Sequence, residues 1–363
     1  MADEYSTKPT ITKTSPPTQS KDPSPKHKFE GHEKAIESFI FLHDNKHIVS
    51  GSWDGTMRKW DCNTGHLVGE PWKEEGGGIL ALALSPDGNI IACGREDGSV
   101  QQWNTDGNMI KGVWMGHSNT VWSLSWSPSG AHIASGSYDG TILIRKAENG
   151  KVEVGPIKTG QDWVCSLAYS PSGDRIASGG YNTTICIWDS NTGEIRVGPI
   201  KDLGASATSV VWSSDSSKLY SASDKFARVF DSVSGTELHR FEHNNFLHTI
   251  ALSPKHNVLA CAGHDSVAQL WDTESYQPPG GKPFSPEDSV DLFCMLFSRD
   301  GRYLAYSGND KKITLWMVKD VAPALPVSAF TTILQVQGDK LYNRILHPSS
   351  MSVPLYSADY WLC

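Results

Sequence analysis

The sequence predicts an all-β protein, a seven-bladed β-propeller with four antiparallel strands in each blade. Three observations support this prediction. A phrase of about a dozen residues recurs seven times, at a spacing of about 43 residues, and repeats of this length are typical of propeller blades. Each repeat contains short apolar stretches separated by turn sequences, as expected for a series of short strands. No stretch shows the periodicity of an amphipathic helix.

The recurring phrase is clearest as SGSWDGTMRKWD at residues 50–61, SGSYDGTILIRK at 135–146 and SGGYNTTICIWD at 178–189. A large side chain closes the last strand of each copy, and an Asp or Asn lies six positions before it. The closing residues are Trp60, Trp103, Arg145, Trp188, Phe230, Trp271 and Trp316. The residues six positions earlier are Asp54, Asp97, Asp139, Asn182, Asp224, Asp265 and Asp310. Seven copies in one register predict seven equivalent structural units.

The elements of each repeat follow one order. A first strand with alternating apolar residues, such as Leu124 and Trp126, leads into a turn such as SPSG at 127–130. Proline presets φ and glycine permits positive φ, so these turns join antiparallel strands. A short apolar second strand follows, then a turn that carries the Asp, then the third strand that ends at the Trp. A looser fourth strand passes through segments such as IRVGPI at 195–200.

Closure of the ring is predicted from what the seventh repeat lacks. No segment resembling VGPIK follows Trp316, whereas HKFEGH at residues 27–32 matches a fourth strand and its loop. An unpaired outer edge would otherwise be exposed. We therefore expect about residues 26–30 to form the outer strand of the last blade. The segment AFTTILQV at 329–336 is an alternative partner for that edge.

The spacing of Gly-His, Asp and Trp-Asp resembles that of WD40 repeats over roughly residues 26–318. The segment from Gly31-His32 to Trp60-Asp61 is a nearly complete consensus unit. The long TG…VGPIK connectors also resemble those of WD40 arrays in fungal regulatory proteins. The resemblance implies a seven-bladed β-propeller of the WD40 type.

In WD40 relatives, a His, a Ser, an Asp and a Trp form a structural hydrogen-bond network inside each blade. The resemblance assigns this network here to His32, Ser50, Asp54 and Trp60. The same residue types could build a hydrolase site, where a nucleophile needs a base and an orienting acid. The His-to-Trp gap recurs in His243 and Trp271, however, and an active site would occur only once. The repetition favours the structural interpretation.

The resemblance also implies that partners bind on the narrow top face around the central channel. It assigns to that face the residue before each conserved Asp and the residues at the start of each innermost strand. The resulting candidates are Trp53, Trp122, Tyr138, Trp163, Tyr181, Phe246, His248, His264 and Phe293. Aromatic residues are enriched in interaction hot spots, which favours binding. Packing between blades is the alternative for some of them.

Composition and motifs exclude several function classes. Lys and Arg number 32 against 40 Asp and Glu, giving a net charge of −8, which argues against nucleic-acid partners. No apolar run is long enough for a membrane span. The seven cysteines form no CxxC pair, and phosphate-binding, GxSxG and HExxH motifs are absent. We therefore expect no metal, no cofactor and no catalytic residues.

Three regions are predicted. Residues 1–25, with five prolines and many Ser and Thr, are expected to be disordered. Residues 26–318 form the propeller, and residues 319–363 form a weakly ordered C-terminal extension. An odd number of cysteines and a start without an apolar signal segment predict a protein of the cytoplasm, or of the nucleus.

The function predicted is that of a non-catalytic scaffold or adaptor. It would bind a peptide or protein on its aromatic top face, as part of a complex and away from membranes. A peptide-reading subunit of a chromatin or ubiquitin-ligase complex is a narrower alternative. A propeller enzyme with an active site at the channel mouth is a third, and it would need a single cluster of catalytic groups that the sequence does not contain.

Overall fold

The computed structural model describes residues 23–110, 112–255, 257–264, 267–279 and 290–322. Within them, seven antiparallel sheets follow one another along the chain. The predicted fold class, a seven-bladed all-β propeller, is confirmed. The predicted disordered tail lies almost entirely outside the described residues, as does the C-terminal extension beyond residue 322.

The strand bounds follow the repeat. Strand β1 spans His27–Glu30 and belongs to the seventh blade. The first four blades contain β2 Ile36–Phe41, β3 His47–Ser52, β4 Thr56–Asp61 and β5 Trp72–Lys73; β6 Ile79–Leu84, β7 Ile90–Arg95 and β8 Val100–Asn104; β9 Val121–Trp126, β10 His132–Ser137, β11 Thr141–Lys146 and β12 Val152–Lys158; and β13 Val164–Tyr169, β14 Arg175–Gly180, β15 Ile185–Asp189 and β16 Ile195–Ile200.

The last three blades contain β17 Ser209–Trp212, β18 Lys218–Ser223, β19 Phe226–Asp231 and β20 Glu237–Glu242; β21 Leu247–Leu252, β22 Val258–Gly263 and β23 Gln269–Asp272; and β24 Leu292–Phe297, β25 Tyr303–Gly308 and β26 Lys312–Met317. A single helical turn, α1, spans Val318–Val321. No helix in the described part of the chain is long and apolar enough to cross a membrane.

The first strands of the blades form the inner ring. Each of them contacts the first strand of the next blade, and β24 of the seventh blade contacts β2 of the first. The sheets pack face to face, so each apolar cluster is shared by two blades. One such cluster joins Val49 and Met57 of the first blade to Ile79, Ile91 and Trp103 of the second. The core is therefore a set of interfaces between neighbouring sheets.

The glycine of the recurring SGS phrase sets how closely the blades approach. A Cβ atom on Gly51 would lie 2.4 Å from Ile79 of the next blade, and one on Gly136 would lie 2.5 Å from Val164. Each contact joins the second strand of one blade to the first strand of the next. A side chain at these positions would push the sheets apart, which explains the glycine in the repeat.

The ring is closed by the N-terminal strand, as predicted. Strand β1 pairs antiparallel with β26, with Lys28 opposite Thr314 and Phe29 opposite Ile313. The side chain of Phe29 is 1% exposed and packs 5.7 Å from Trp60 of the first blade, measured between ring centroids. The alternative segment at 329–336 lies outside the described residues.

The outer strands are the most variable elements. Five of the sheets have four strands and two have three among the described residues. In the second blade the outer strand is reduced to two bridges, from Val100 to Trp114 and from Trp103 to Met109. In the sixth blade, the chain after β23 continues into residues that are not described.

Candidate functional site

All nine predicted binding residues lie on one face of the ring, which we call the upper face. It carries the loops that join the second and third strands of each blade and the loops that lead into each first strand. Trp53, Tyr138, Tyr181 and His264 belong to the former loops, and the others lie at or next to the start of a first strand. The opposite end of the strands forms the lower face.

The backbone ties these two kinds of loop together in the same way in six of the seven blades. The amide N–H of Tyr138 donates to the carbonyl of Thr120 at 3.0 Å, and that of Tyr181 donates to the carbonyl of Trp163 at 3.1 Å. Gly140 completes the turn after Tyr138 with a φ of +77°, where a larger residue would be strained. These bonds fix where each side chain leaves the surface.

Five of the predicted residues form a continuous row, which we call the aromatic ladder. Trp122 stacks on Tyr138, with ring centroids 4.6 Å apart and planes inclined by 14°. Tyr138 stacks on Trp163 at 4.5 Å, and Trp163 meets Tyr181 at 4.2 Å with an inclination of 39°. Trp53 extends the row from the first blade, 6.2 Å from Trp122. The ladder therefore runs across the upper face from the first blade to the fourth.

Trp53 approaches Trp122 across a glycine of the second blade. Gly78 lies below the indole, where a Cβ atom would be 2.8 Å from the Trp53 ring. The indole Nε1–H donates to Oε1 of Glu37 at 2.8 Å. Burial raises the pKa of Glu37, and the bond from Trp53 opposes that rise only in part. Glu37 is thus a largely enclosed carboxyl group beside the first ring of the ladder.

The four other predicted residues form a second group, the histidine cluster, on the sixth and seventh blades. It comprises Phe246, His248, His264 and Phe293 together with Asp291. The rings of His248 and His264 lie 4.5 Å apart, and His264 Nδ1 is 2.6 Å from Oδ1 of Asp291. Burial and the neighbouring His264 lower the pKa of His248, while Asp291 opposes the shift.

The rings of the ladder differ in how much of their surface is exposed. Tyr181 is 51% exposed and Trp163 is 37% exposed, whereas Trp53, Trp122 and Tyr138 are half-buried. Stacking on neighbouring rings covers part of each member. Trp53, Trp122 and Tyr138 are more covered than Trp163 and Tyr181, whose rings are exposed. Binding by these residues stays a prediction.

The predicted structural network is present in the first blade. His32 lies 2.8 Å from Oδ2 of Asp54 through Nδ1 and 2.7 Å from Ser50 Oγ through Nε2. The indole of Trp60 donates to the same Ser50 Oγ at 2.9 Å. Burial would raise the pKa of Asp54, but hydrogen bonds from His32 and Thr56 outweigh it and lower that pKa well below its usual range. The four side chains satisfy one another in the interior.

Other blades keep parts of the network. In the third blade His117 lies 3.0 Å from Asp139 and 2.8 Å from Ser135. Arg145 replaces the tryptophan there and donates to the carbonyl of Met115. In the sixth blade the indole of Trp271 donates directly to Nε2 of His243 at 3.2 Å. The recurrence of this arrangement in a second blade supports its structural role.

Two substitutes for the histidine are not apparent from the spacing. A fixed gap to the Trp places Gly160 at the histidine position of the fourth blade, but the structure places Gln161 there. Its Oε1 accepts a 2.6 Å bond from Ser178 Oγ, which in turn accepts from the indole of Trp188. In the second blade the buried guanidinium of Arg95 donates to the carbonyls of Glu74 and Gly77. A one-residue shift in the gap was the available signal for Gln161.

Several grooves among the described residues lie away from the ladder. One of about 800 Å³ opens on the lower face between the second and third blades, lined by residues that include Trp126, His132 and Glu153. Its ionic groups already pair, since Glu153 contacts both His132 and Lys146. No group of three or more His, Cys, Asp or Glu residues in the described ranges is arranged to hold a metal ion. The upper face is therefore the better candidate for a binding site.

Comparison with known proteins identifies the repeats. The family model described as "WD domain, G-beta repeat" matches seven segments, which are residues 23–61, 65–104, 109–145, 154–189, 199–231, 235–272 and 284–317. These segments correspond to the seven blades and together cover well over half of the chain.

Individual relatives match over shorter stretches. A serine-threonine kinase receptor-associated protein of Gallus gallus is 38% identical over 74 residues, which is 20% of this chain and 21% of the relative. A periodic tryptophan protein 2 homolog of Schizosaccharomyces pombe is 35% identical over 74 residues, or 20% of this chain and 8% of the relative. The nuclear distribution protein nudF of Emericella nidulans is 32% identical over 88 residues, or 24% and 20%. The chain thus spans about a fifth or less of the length of these relatives.

Proposed function

Because the chain belongs to the WD40 repeat family, we propose that it is a non-catalytic scaffold that binds a peptide or protein segment on its upper face. The aromatic ladder carries this proposal. Its five rings lie in contact on one surface, and two of them, Trp163 and Tyr181, are exposed. Such rings supply a large contact area at little cost in conformational entropy.

Two further observations support a scaffold. The His, Asp and Ser constellation that resembles a hydrolase site occurs in both the first and the third blades, so its role is structural. The name of one relative, serine-threonine kinase receptor-associated protein, records an association with another protein. We place the protein in the cytoplasm or nucleus, within a complex and away from membranes and nucleic acid.

The test is affinity capture with the purified full chain as bait. The ladder variant Trp122→Ala/Trp163→Ala/Tyr181→Ala is compared with wild type. A matched control, Ile195→Ala/Val233→Ala/Leu238→Ala, removes exposed apolar groups from the outer strands and lower turns of the fourth and fifth blades, where they are 46%, 76% and 48% exposed. Partners captured by wild type and by the control, but lost from the ladder variant, are the expected result.

Folding is checked by circular dichroism and thermal unfolding of each bait. The single variant Tyr181→Ala, at the most exposed ring of the ladder, replaces the triple variant if the latter unfolds. Identical partners for wild type and the folded ladder variant would show that the ladder is not the binding surface.

A further inference from the structure

The aromatic ladder lies in the most acidic part of the upper face. The upper loops of the first four blades contain the acidic residues Glu33, Asp54, Glu74, Glu75, Glu96, Asp97, Asp139 and Asp162. The cations at the same edge are Lys34, Lys73, Lys158 and Arg95, and Arg95 is 1% exposed with its guanidinium bound to backbone carbonyls. Asp54 and Asp139 pair with histidines, and the eight carboxylates outnumber the four cations, so this half of the face is net negative.

The other half of the upper face is closer to neutral among the described residues. The corresponding loops of the fifth to seventh blades carry Lys201, Lys225 and Lys311 against Asp202, Asp224, Asp291 and Asp310, and Asp224 also pairs with Arg228. The five-ring ladder and the excess of carboxylates therefore coincide on the same blades. A ligand that complements both features must combine positive charge with groups that stack on aromatic rings.

Two carboxylates stand directly beside the first ring of the ladder, and a third belongs to the residue before Trp163. Glu37 accepts the indole N–H of Trp53 at 2.8 Å. Glu96 is anchored by a 2.9 Å bond from the amide of Gly78, the same residue over which the Trp53 ring lies. Asp162 is exposed and immediately precedes Trp163, the fourth ring, in the chain. Two of the carboxylates thus lie at the Trp53 end of the ladder, and the third is next to its fourth ring in the sequence.

The setting of Glu37 favours a cation in particular. Burial raises the pKa of this carboxyl group, because its charged form is poorly solvated there. Trp53 donates its hydrogen bond to only one of the two carboxylate oxygens of Glu37, Oε1. A cation placed against the carboxylate would replace the missing solvation and offset that cost.

From these observations we infer that the aromatic ladder binds a cationic peptide segment, one that lays arginine or lysine side chains on the rings, beside Glu37 and Glu96 and near Asp162. Guanidinium and ammonium groups are attracted to the faces of Trp and Tyr rings, and a guanidinium also pairs with carboxylates through two parallel bonds. The inference rests on the proposed scaffold function and specifies the chemistry of the partner at that same site.

The experiment is a selection of short random peptides displayed on phage against the immobilised full chain. We expect peptides rich in arginine or lysine to be enriched. The strongest selected peptide is then synthesised with a fluorescent label, and its affinity is measured by anisotropy. For the charge variant Glu37→Gln/Glu96→Gln/Asp162→Asn, we expect the affinity to fall about tenfold, while the ladder rings stay in place.

A matched control removes the same number of negative charges from the lower face. Asp106, Glu148 and Glu194 are exposed in the turns that follow the third strands of the second, third and fourth blades. The variant Asp106→Asn/Glu148→Gln/Glu194→Gln should keep the affinity within about twofold. If this control lost as much affinity as the charge variant, the effect would come from net charge alone, and the inference would be overturned. If the charge variant does not fold, Glu96→Gln and Asp162→Asn are measured singly.

The outcomes separate this inference from the proposed function. Neutral or acidic peptides that bind wild type but not the ladder variant would refute the cationic partner and leave the scaffold proposal intact. Cationic peptides that bind the charge variant as well as wild type would also refute the inference. Peptides that bind the ladder variant undiminished would contradict both proposals. A selection without enrichment would refute recognition of a short cationic segment.

Discussion

Replacing Phe29 by alanine should destabilise the whole ring, because this side chain joins the last blade to the first. Phe29 is 1% exposed and packs in a cluster with Trp60 and Ile36 of the first blade and Ile313 and Leu315 of the seventh. Truncating a fully buried phenylalanine costs about 3–5 kcal/mol, from lost burial and from the cavity left behind. Phe29→Ala should therefore lower the free energy of unfolding by that amount, measured by urea denaturation.

Lys28→Ala provides the control on the same strand. Its side chain is exposed, so the substitution should change the free energy of unfolding by less than about 0.5 kcal/mol. Deletion of residues 1–31 removes the strand entirely and should abolish cooperative unfolding. If Phe29→Ala and Lys28→Ala unfolded at the same urea concentration, β1 would not be closing the ring in solution. The segment at 329–336 would then be the better candidate for that edge.

Three further predictions concern the buried networks. Ser50→Ala leaves the indole N–H of Trp60 without its acceptor and should cost about 1–3 kcal/mol in urea denaturation; an unchanged midpoint would contradict the structural role. Gln161→Ala should cost a similar amount, whereas Asp162→Asn at the adjacent, exposed position should be nearly neutral, since Asn keeps the positive φ of 60° there; equal effects would show that Gln161 does not replace the histidine. Burial lowers the pKa of His243 from 6.5 to about 4, so the unfolded state binds more protons between these values. The contribution of neutral His243 to the free energy of unfolding is therefore complete well above pH 6.5. It falls on acidification and is smaller by about 2 kcal/mol at pH 5. His243→Gln should remove that part of the pH dependence, and identical pH profiles of unfolding would refute the assignment.

The repeat pattern was sufficient to predict the ring, the strand order and the closing strand. The ring and the strand order follow from the period of the repeat. The closing strand follows from the absence of a fourth strand after Trp316, which can also be seen along the chain. The glycines of the SGS phrase belong to the same pattern, since Gly51 and Gly136 mark close approach of neighbouring blades. Strand order is a property of the repeat, so one good copy predicts the others.

The candidate site was less predictable. The resemblance to WD40 repeats implied that Trp53 and Trp122 lie on the upper face, but not that their rings meet across the second blade. That contact depends on Gly78 lying below the Trp53 ring, and on the Trp53 indole being held by Glu37. Nor did spacing reveal Gln161, because a fixed gap cannot allow for a loop that shifts by one residue. Side-chain orientation and loop length are set by neighbours in space.

The closing strand also has a consequence for biosynthesis. Lys26, just before this strand, donates a hydrogen bond to Tyr303, a residue 277 positions later in the chain. During translation, the residues of β1 are made before the other blade strands, and their partners in β26 are made only after the first six blades. Until then β1 has no strand to pair with, and the ring stays open. Pairing at such a distance is slow, so the newly made protein passes through a period in which Phe29 and the edge of the last blade are both uncovered.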